Sequence, residues 1–333
     1  MATTDNTTAT LIADIGGTNA RFALWDHAGC RPTAVDIVSC EAFNDIGDAI
    51  EQYLSTSGMP TPTQASIALA ATLSGDQVTL TNGPWSFSTN SLRRRLGLER
   101  LLILNDFTAL AMSLPYLADD ERLQIGGGDS APLGVKGIIG PGTGLGVSGL
   151  IATKDGEWLP LQGEGGHVTY APITASEVAI IDRLQQRFGH VSAERIVSGQ
   201  GLENIHLTLT EINGEPAKAL PADEISRLGM ADQCPVCRES LTFFCAVLGT
   251  VAGNLALTLG AHGGIYIGGG IPPKLGHFFL ESPFRERFER HGRFSGYLER
   301  IPCYLIDAPY PALTGAAQTL FADLPGIGYS VTD

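Results

Sequence analysis

The stretch that decides the fold is LIADIGGTNARFAL, residues 11–24. An apolar run at 11–15 meets Gly16-Gly17-Thr18-Asn19, and a second apolar run follows at 21–25. Two such runs around a short glycine turn read as a β-hairpin. The pattern recurs once, in IIGPGTGLGVSGLI at 138–151. One Gly-rich hairpin in each half of a chain is the arrangement expected of a polyphosphate clamp, with a nucleotide in a cleft between the halves.

The composition supports a globular enzyme-sized chain. It has 333 residues, 44% hydrophobic and 17% charged, which fits one large domain or two ordinary ones. A net charge of −14 opposes a nucleic-acid or anionic-membrane partner. Any phosphate site must therefore be local, built from backbone N–H groups, a metal and an arginine. The opening residues, MATTDNTTA, lack the basic start of a secretory signal. A reducing, cytoplasmic setting is expected, with the six scattered cysteines as free thiols. Cys234 and Cys237 form a lone CxxC. A closed zinc site needs four ligands, and neither a second CxxC nor a nearby His pair supplies them. The uncharged stretch 241–261 is long enough to span a bilayer. Gly249, Gly253 and Asn254 interrupt it, and it runs into a polar Gly-rich segment without a basic flank, so it reads as a buried core helix.

Strand-like and helix-like patterns alternate, which makes the class α/β. After the first hairpin, helices are predicted at 42–54, 88–96 and 107–117, and strands at 65–71 and 101–104. A charged, Gly-rich stretch at 118–130 separates two regions. Beyond the second hairpin, helices are predicted at 176–188, 193–205 and 313–321, with strands at 264–268 and 303–306. Residues 210–223 read as a loop.

Within this frame, five segments carry chemistry. Asp14 ends a strand immediately before Gly16-Gly17-Thr18. Glycines let backbone approach a phosphate, successive N–H groups form an anion nest, and a carboxylate there suits Mg²⁺, directly or through water. Gly140-Pro-Gly-Thr-Gly-Leu-Gly146 repeats the turn. After Gly142 and Gly144 the dinucleotide fingerprint wants glycine at 147, where Val147 stands, and no Gly-Lys pair of a Walker loop occurs in the chain. Asn105-Asp106 closes the apolar run 101–104. Either a helix cap or a base accepting a substrate hydroxyl proton fits, and the pair allows one of each. Glu164-Gly-Gly-His167 suits a polyhydroxylated ligand. Glu194, two residues after Ser192, reads by itself as an acid near a helix start. Gly268-Gly-Gly-Ile-Pro-Pro273 leaves a strand and leads into a helix, either as a plain connection or as a flat surface for a base and ribose.

Taken together and in this order, these segments resemble the bacterial glucokinase family, ATP-dependent and hexokinase-like. The resemblance spans about 11–321. It implies an α/β, two-lobed actin-like ATPase (ribonuclease H-like) fold with an interlobe cleft. A small α/β domain would comprise 10–116 plus 306–328, and a large α+β domain 117–305. It makes Asp106 the catalytic base and puts glucose on Asn105, Asp106, Glu164, His167 and Glu194. It puts ATP on Ala13, Asp14, Ile15, Gly16, Gly17, Thr18, Gly142, Thr143, Gly144, Gly269 and Gly270, and Mg²⁺ on Asp14. The activity implied is transfer from ATP to the 6-hydroxyl of D-glucose, at the entry to glycolysis, by a cytoplasmic homodimer with no nucleic-acid or membrane partner. The Cys-rich zinc motif of the related repressor–ORF–kinase sugar kinases is missing, which argues against zinc dependence. Alternatives are a kinase for another hexose, a non-catalytic sugar-sensing regulator and an actin-like chaperone. The last needs no sugar constellation such as Glu164 with His167.

Overall fold

The computed structural model describes residues 9–58, 60–81, 83–216 and 219–332. They fall into two compact units: the described parts of 1–117, 157–162 and 308–333, and those of 118–156 and 163–307.

The first unit is built on a sheet of six strands in the order Tyr329–Thr332, Arg100–Asn105, Gln64–Leu69, Thr10–Ile15, Asn19–Asp26, Arg31–Ser39. Thr10–Ile15, Gln64–Leu69 and Arg100–Asn105 run parallel, and the strands outside them are antiparallel. These parallel strands are mostly apolar because both faces are covered. Leu11, Ala13, Ile15, Ala65, Ile67, Leu69, Leu101 and Ile103 enter one core, with Ile46, Ala49, Ile50 and Tyr53 of helix Ile46–Ser57. Ile12, Ala68, Leu102 and Leu104 face the opposite side, against Leu313, Ala316, Ala317 and Leu320 of helix Pro311–Ala322. Register puts Ile15, Leu69 and Asn105 in one row, so all three parallel strands end together.

The second unit repeats the plan. Its strands lie in the order Leu145–Ala152, Lys136–Pro141, Ile265–Ile267, Cys303–Ile306, Arg122–Ile125. Lys136–Pro141 pairs antiparallel with its hairpin partner and parallel with Ile265–Ile267 on the other side. In the first unit Thr10–Ile15 does the same, so each core starts from a hairpin whose first strand opens a parallel run.

Some boundaries differ from expectation for local reasons. The helix expected at 42–54 starts at Ile46, where Asp45 accepts the Asp48 amide as N-cap, after a 3₁₀ turn at Cys40–Ala42. The helix expected at 107–117 spans Asp106–Ser113, because Pro115 cannot donate to it. Part of the expected 118–130 linker is the edge strand Arg122–Ile125, paired with Cys303–Ile306. The helix expected at 193–205 is Gly199–Ile212, capped by Ser198, so it continues into the expected loop. A further helix, Ala222–Met230, begins at that loop's end.

The apolar stretch at 241–261 lies within helix Pro235–Leu259, long and apolar enough to cross a membrane, yet most of it is buried in the second unit's core. Gly249 explains one of its interruptions. A Cβ there would come within 2.2 Å of the Phe284 carbonyl, so glycine lets helix Phe284–Glu289 pack directly on the backbone.

Candidate active site

In the first unit, hairpin register sets Asp14 opposite Arg21, whose Nη1 donates to Asp14 Oδ2 at 2.9 Å. The Asp14 side chain is only 17% exposed. Burial raises its carboxyl above the usual aspartate range, and the Arg21 charge and hydrogen bond only partly oppose this. With Oδ2 committed to Arg21, the other oxygen suits a divalent cation, directly or through water. Ala13 and Ile15 are wholly buried in strand ladders on both sides, so of this segment Gly16, Gly17 and Thr18 are the residues whose backbone is open to a ligand. The Gly16 N–H closes the turn on the Asn19 carbonyl at 3.0 Å. Among the described residues the next two N–H groups, on Gly17 and Thr18, have no partner.

Asn105 ends its strand two strands away from Asp14, about 10 Å at ordinary strand spacing. It caps helix Asp106–Ser113, its Oδ1 accepting from the Phe107 and Thr108 amides at 2.9 and 3.1 Å. This divides the Asn-Asp pair. Asn105 does the capping and keeps its amide NH₂ for other work, while Asp106 is the half-buried first helical residue. Asp106 Oδ1 accepts the Phe107 amide at 2.9 Å, which fixes the carboxylate's direction, and a helix start favours its negative charge.

In the second unit, the turn at 142–144 closes in the same way. The Gly142 N–H reaches the Gly144 carbonyl at 2.8 Å, and Thr143 and Gly144 keep N–H groups without partners among the described residues. Both turns thus leave two successive donors, the arrangement of an anion nest. Gly268-Gly-Gly270 lies beside this turn, since Ile267 is in register with Ile139 and the Gly268 N–H bonds to the Ile139 carbonyl.

Glu164, His167 and Glu194 come together in this unit. His167 Nε2 is 3.9 Å from Glu164 Oε2, and its Nδ1 is 3.8 Å from Glu194 Oε1. Glu194 does not sit near a helix start. Its N–H bonds to the Gly166 carbonyl, and Oε2 accepts the Leu145 amide at 2.9 Å. Ser192 makes a short turn instead, its Oγ accepting the Arg195 amide at 3.3 Å. These tertiary bonds displaced the helix from the position its periodicity suggested.

Three contributors were not singled out from sequence. They are Arg21 across from Asp14, the Leu145 amide, and the start of helix Gly199–Ile212, whose Gly199 N–H donates to the Gly142 carbonyl at 2.8 Å. That helix start faces the second turn, a favourable place for an anion. Ser198-Gly-Gln-Gly201, a cap residue followed by small residues, is the signal that marks it. Gly144, Gly146 and Gly149 do have dinucleotide-fingerprint spacing, but they lie at a strand, Leu145–Ala152, and open no helix. A cavity of about 280 Å³ in the first unit is lined by Arg100, Asp323 and Ile327. Arg100 starts the strand that Asn105 ends, so this cavity is at the other end of the sheet from Asp106.

A family model described as Glucokinase matches residues 11–322. A glucokinase of Aromatoleum aromaticum is 54% identical over 317 residues, covering 95% of this chain and 96% of that one. A glucokinase of Chromobacterium violaceum is 49% identical over 310 residues, covering 93% and 88%. Among solved structures, a glucokinase from an Antarctic psychrotroph superposes with a TM-score of 0.85 at 36% identity, over 95% of this chain and all of that one.

Proposed function

The chain belongs to the glucokinase family, and on that footing we propose that it transfers the γ-phosphoryl group of ATP to the 6-hydroxyl of D-glucose, giving glucose 6-phosphate and ADP. The observation that carries this reading is the joining of Glu164, His167 and Glu194 to the Gly142–Gly144 turn through the Glu194–Leu145 hydrogen bond. A carboxylate–imidazole set for sugar hydroxyls and a donor nest for phosphate are fixed to one another within a single unit.

Asp106 accepts the proton of the 6-hydroxyl as that oxygen attacks the γ-phosphorus. Asn105, Glu164, His167 and Glu194 orient the sugar. The N–H groups of Gly17, Thr18, Thr143 and Gly144, without partners among the described residues, bind phosphate oxygens, and Gly269 and Gly270 lie against the adenosine. Such transfer depends mainly on positioning and electrostatic stabilisation, since the protein has little covalent chemistry to perform. Asp14 fits a magnesium role because its buried carboxylate keeps one oxygen free of Arg21. Held by Asp14 together with ATP, a magnesium ion would supply charge neutralisation to the transferring group. The same reading makes the protein a cytoplasmic homodimer at the entry to glycolysis. The net charge of −14 opposes partnership with nucleic acid or an anionic membrane.

A coupled ADP-release assay over glucose, mannose, fructose and glucosamine tests the assignment. Glucose should give the highest kcat/KM. A higher value for another hexose would transfer the assignment to that sugar, and absence of turnover with all four would leave a non-catalytic sugar-binding role.

A further inference from the structure

Helix Pro235–Leu259 begins with Cys234 as its N-cap, and Cys234 Sγ accepts the Cys237 amide at 3.2 Å. The cap and the third helical residue share one side of the first turn, so the two sulfurs converge. Helix Gly199–Ile212 brings His206 against them. A ring nitrogen of His206 and both sulfurs lie within 4.8 Å of one another, the one His/Cys/Asp/Glu group with such spacing among the described residues. His206 is only 4% exposed, and its Nδ1 has no hydrogen-bond partner among the described residues. A buried polar nitrogen without a partner is costly and calls for an explanation. Sequence spacing missed this residue because His206 is 28 positions before Cys234 and reaches it only through helix packing.

We propose that Cys234, Cys237 and His206 hold one zinc-class divalent cation. Thiolate and imidazole ligands select a borderline-soft ion such as Zn²⁺ over Mg²⁺ or Ca²⁺. In a tetrahedral zinc site, ligand sulfurs stand about 3.8 Å apart, given Zn–S bonds of about 2.3 Å. The three ligand atoms, all within 4.8 Å of one another, exceed that spacing by at most about 1 Å. Binding displaces the two thiol protons to solvent, and the helix start favours the resulting thiolates. The half-buried Cys234 gives the entry side, and water completes the coordination. Glu224 and Glu215 add negative potential near Cys237 and His206. A redox pair explains less. A disulfide leaves the buried, unpartnered His206 Nδ1 unexplained. The bound ion ties the two helices together and takes no part in phosphoryl transfer.

The test is Co²⁺ and Zn²⁺ titration of the full-length, reduced and metal-stripped chain. One Co²⁺ per chain should produce thiolate-to-cobalt charge-transfer absorbance, and Zn²⁺ should displace it. Cys234→Ser and His206→Gln should each weaken binding at least tenfold while glucose turnover stays near the parent value. Should His206→Gln fail to fold, Cys234→Ser, at the half-buried ligand, decides. Absence of the charge-transfer band in the parent chain overturns the proposal, as does equal affinity in Cys234→Ser.

Discussion

Glu194 Oε2 accepts a hydrogen bond from the Leu145 amide at 2.9 Å, so a proposed sugar-binding carboxylate also holds the end of a proposed phosphate-binding turn. Its other oxygen faces His167 at 3.8 Å. The two oxygens serve different partners, and substitutions can separate them. Glu194→Gln keeps an acceptor for Leu145 and removes the charge, and its main effect should be a higher glucose KM. Glu194→Ala frees the turn as well, so KM should rise for both glucose and ATP. Loss of a charge-assisted hydrogen bond of about 1.5–3 kcal/mol corresponds to roughly 10–150-fold. Steady-state kinetics with each substrate varied in turn reads the difference. An unchanged ATP KM in Glu194→Ala would contradict the turn-holding role.

Glu164 is 84% exposed at its side chain, and among the described residues its one ion pair is the 3.9 Å approach to His167. Glu164→Gln should therefore leave thermal stability unchanged and raise the glucose KM, with the ATP KM unaffected. A normal glucose KM removes Glu164 from the sugar site.

Gly315 sets the position of the helix that begins with Asp106. A Cβ there would fall 1.6 Å from the Ala109 carbonyl, so helices Asp106–Ser113 and Pro311–Ala322 touch backbone to backbone. Gly315→Ala must push them apart, at a cost of about 1–3 kcal/mol or more. Tm should fall, and kcat should fall with it because Asp106 moves. Thermal unfolding and turnover on the same preparation check both. An unchanged Tm would show that the helices can separate without strain.

The hairpins and parallel strands were legible because their pattern is local. Runs such as 101–104 are apolar at every position since helices cover both faces, and glycines mark the turns. Asn105-Asp106 was legible as a pair, although only the folded chain shows that Asn105 is the cap. What escaped depends on contacts distant in sequence. Glu194 looked like a helix-start acid until Leu145, 49 positions away, claimed its carboxylate. Arg122–Ile125 looked like linker because its strand character comes from pairing with Cys303–Ile306.

A buried ion pair supports the second unit behind the Glu164–His167 segment. Arg287 Nη1 donates to Glu177 Oε1 at 2.7 Å, while Tyr170 OH and the Ile173 amide donate to Oε2, each at 2.8 Å. Burial pushes the Glu177 carboxyl up, but Arg287 and the other donors outweigh it and hold it below the usual glutamate range. Its folded pKa is thus lower than its unfolded one. The stabilisation is complete above the unfolded value and is lost as pH falls through the folded value. Glu177→Gln strands the Arg287 charge and should cost about 3–5 kcal/mol at neutral pH. The variant should also lose part of the acid-side slope in a plot of Tm against pH. A parallel, merely shifted plot would remove Glu177 from the acid response.

With Asp106 as the proposed base, Asp106→Asn is the decisive substitution. Asparagine keeps an oxygen for the Phe107 amide and preserves the shape, so glucose Kd by calorimetry should change little. In the coupled assay kcat should drop by roughly 10²–10⁴-fold, the usual contribution of a positioned general base. Near-normal turnover in this variant would contradict the assignment.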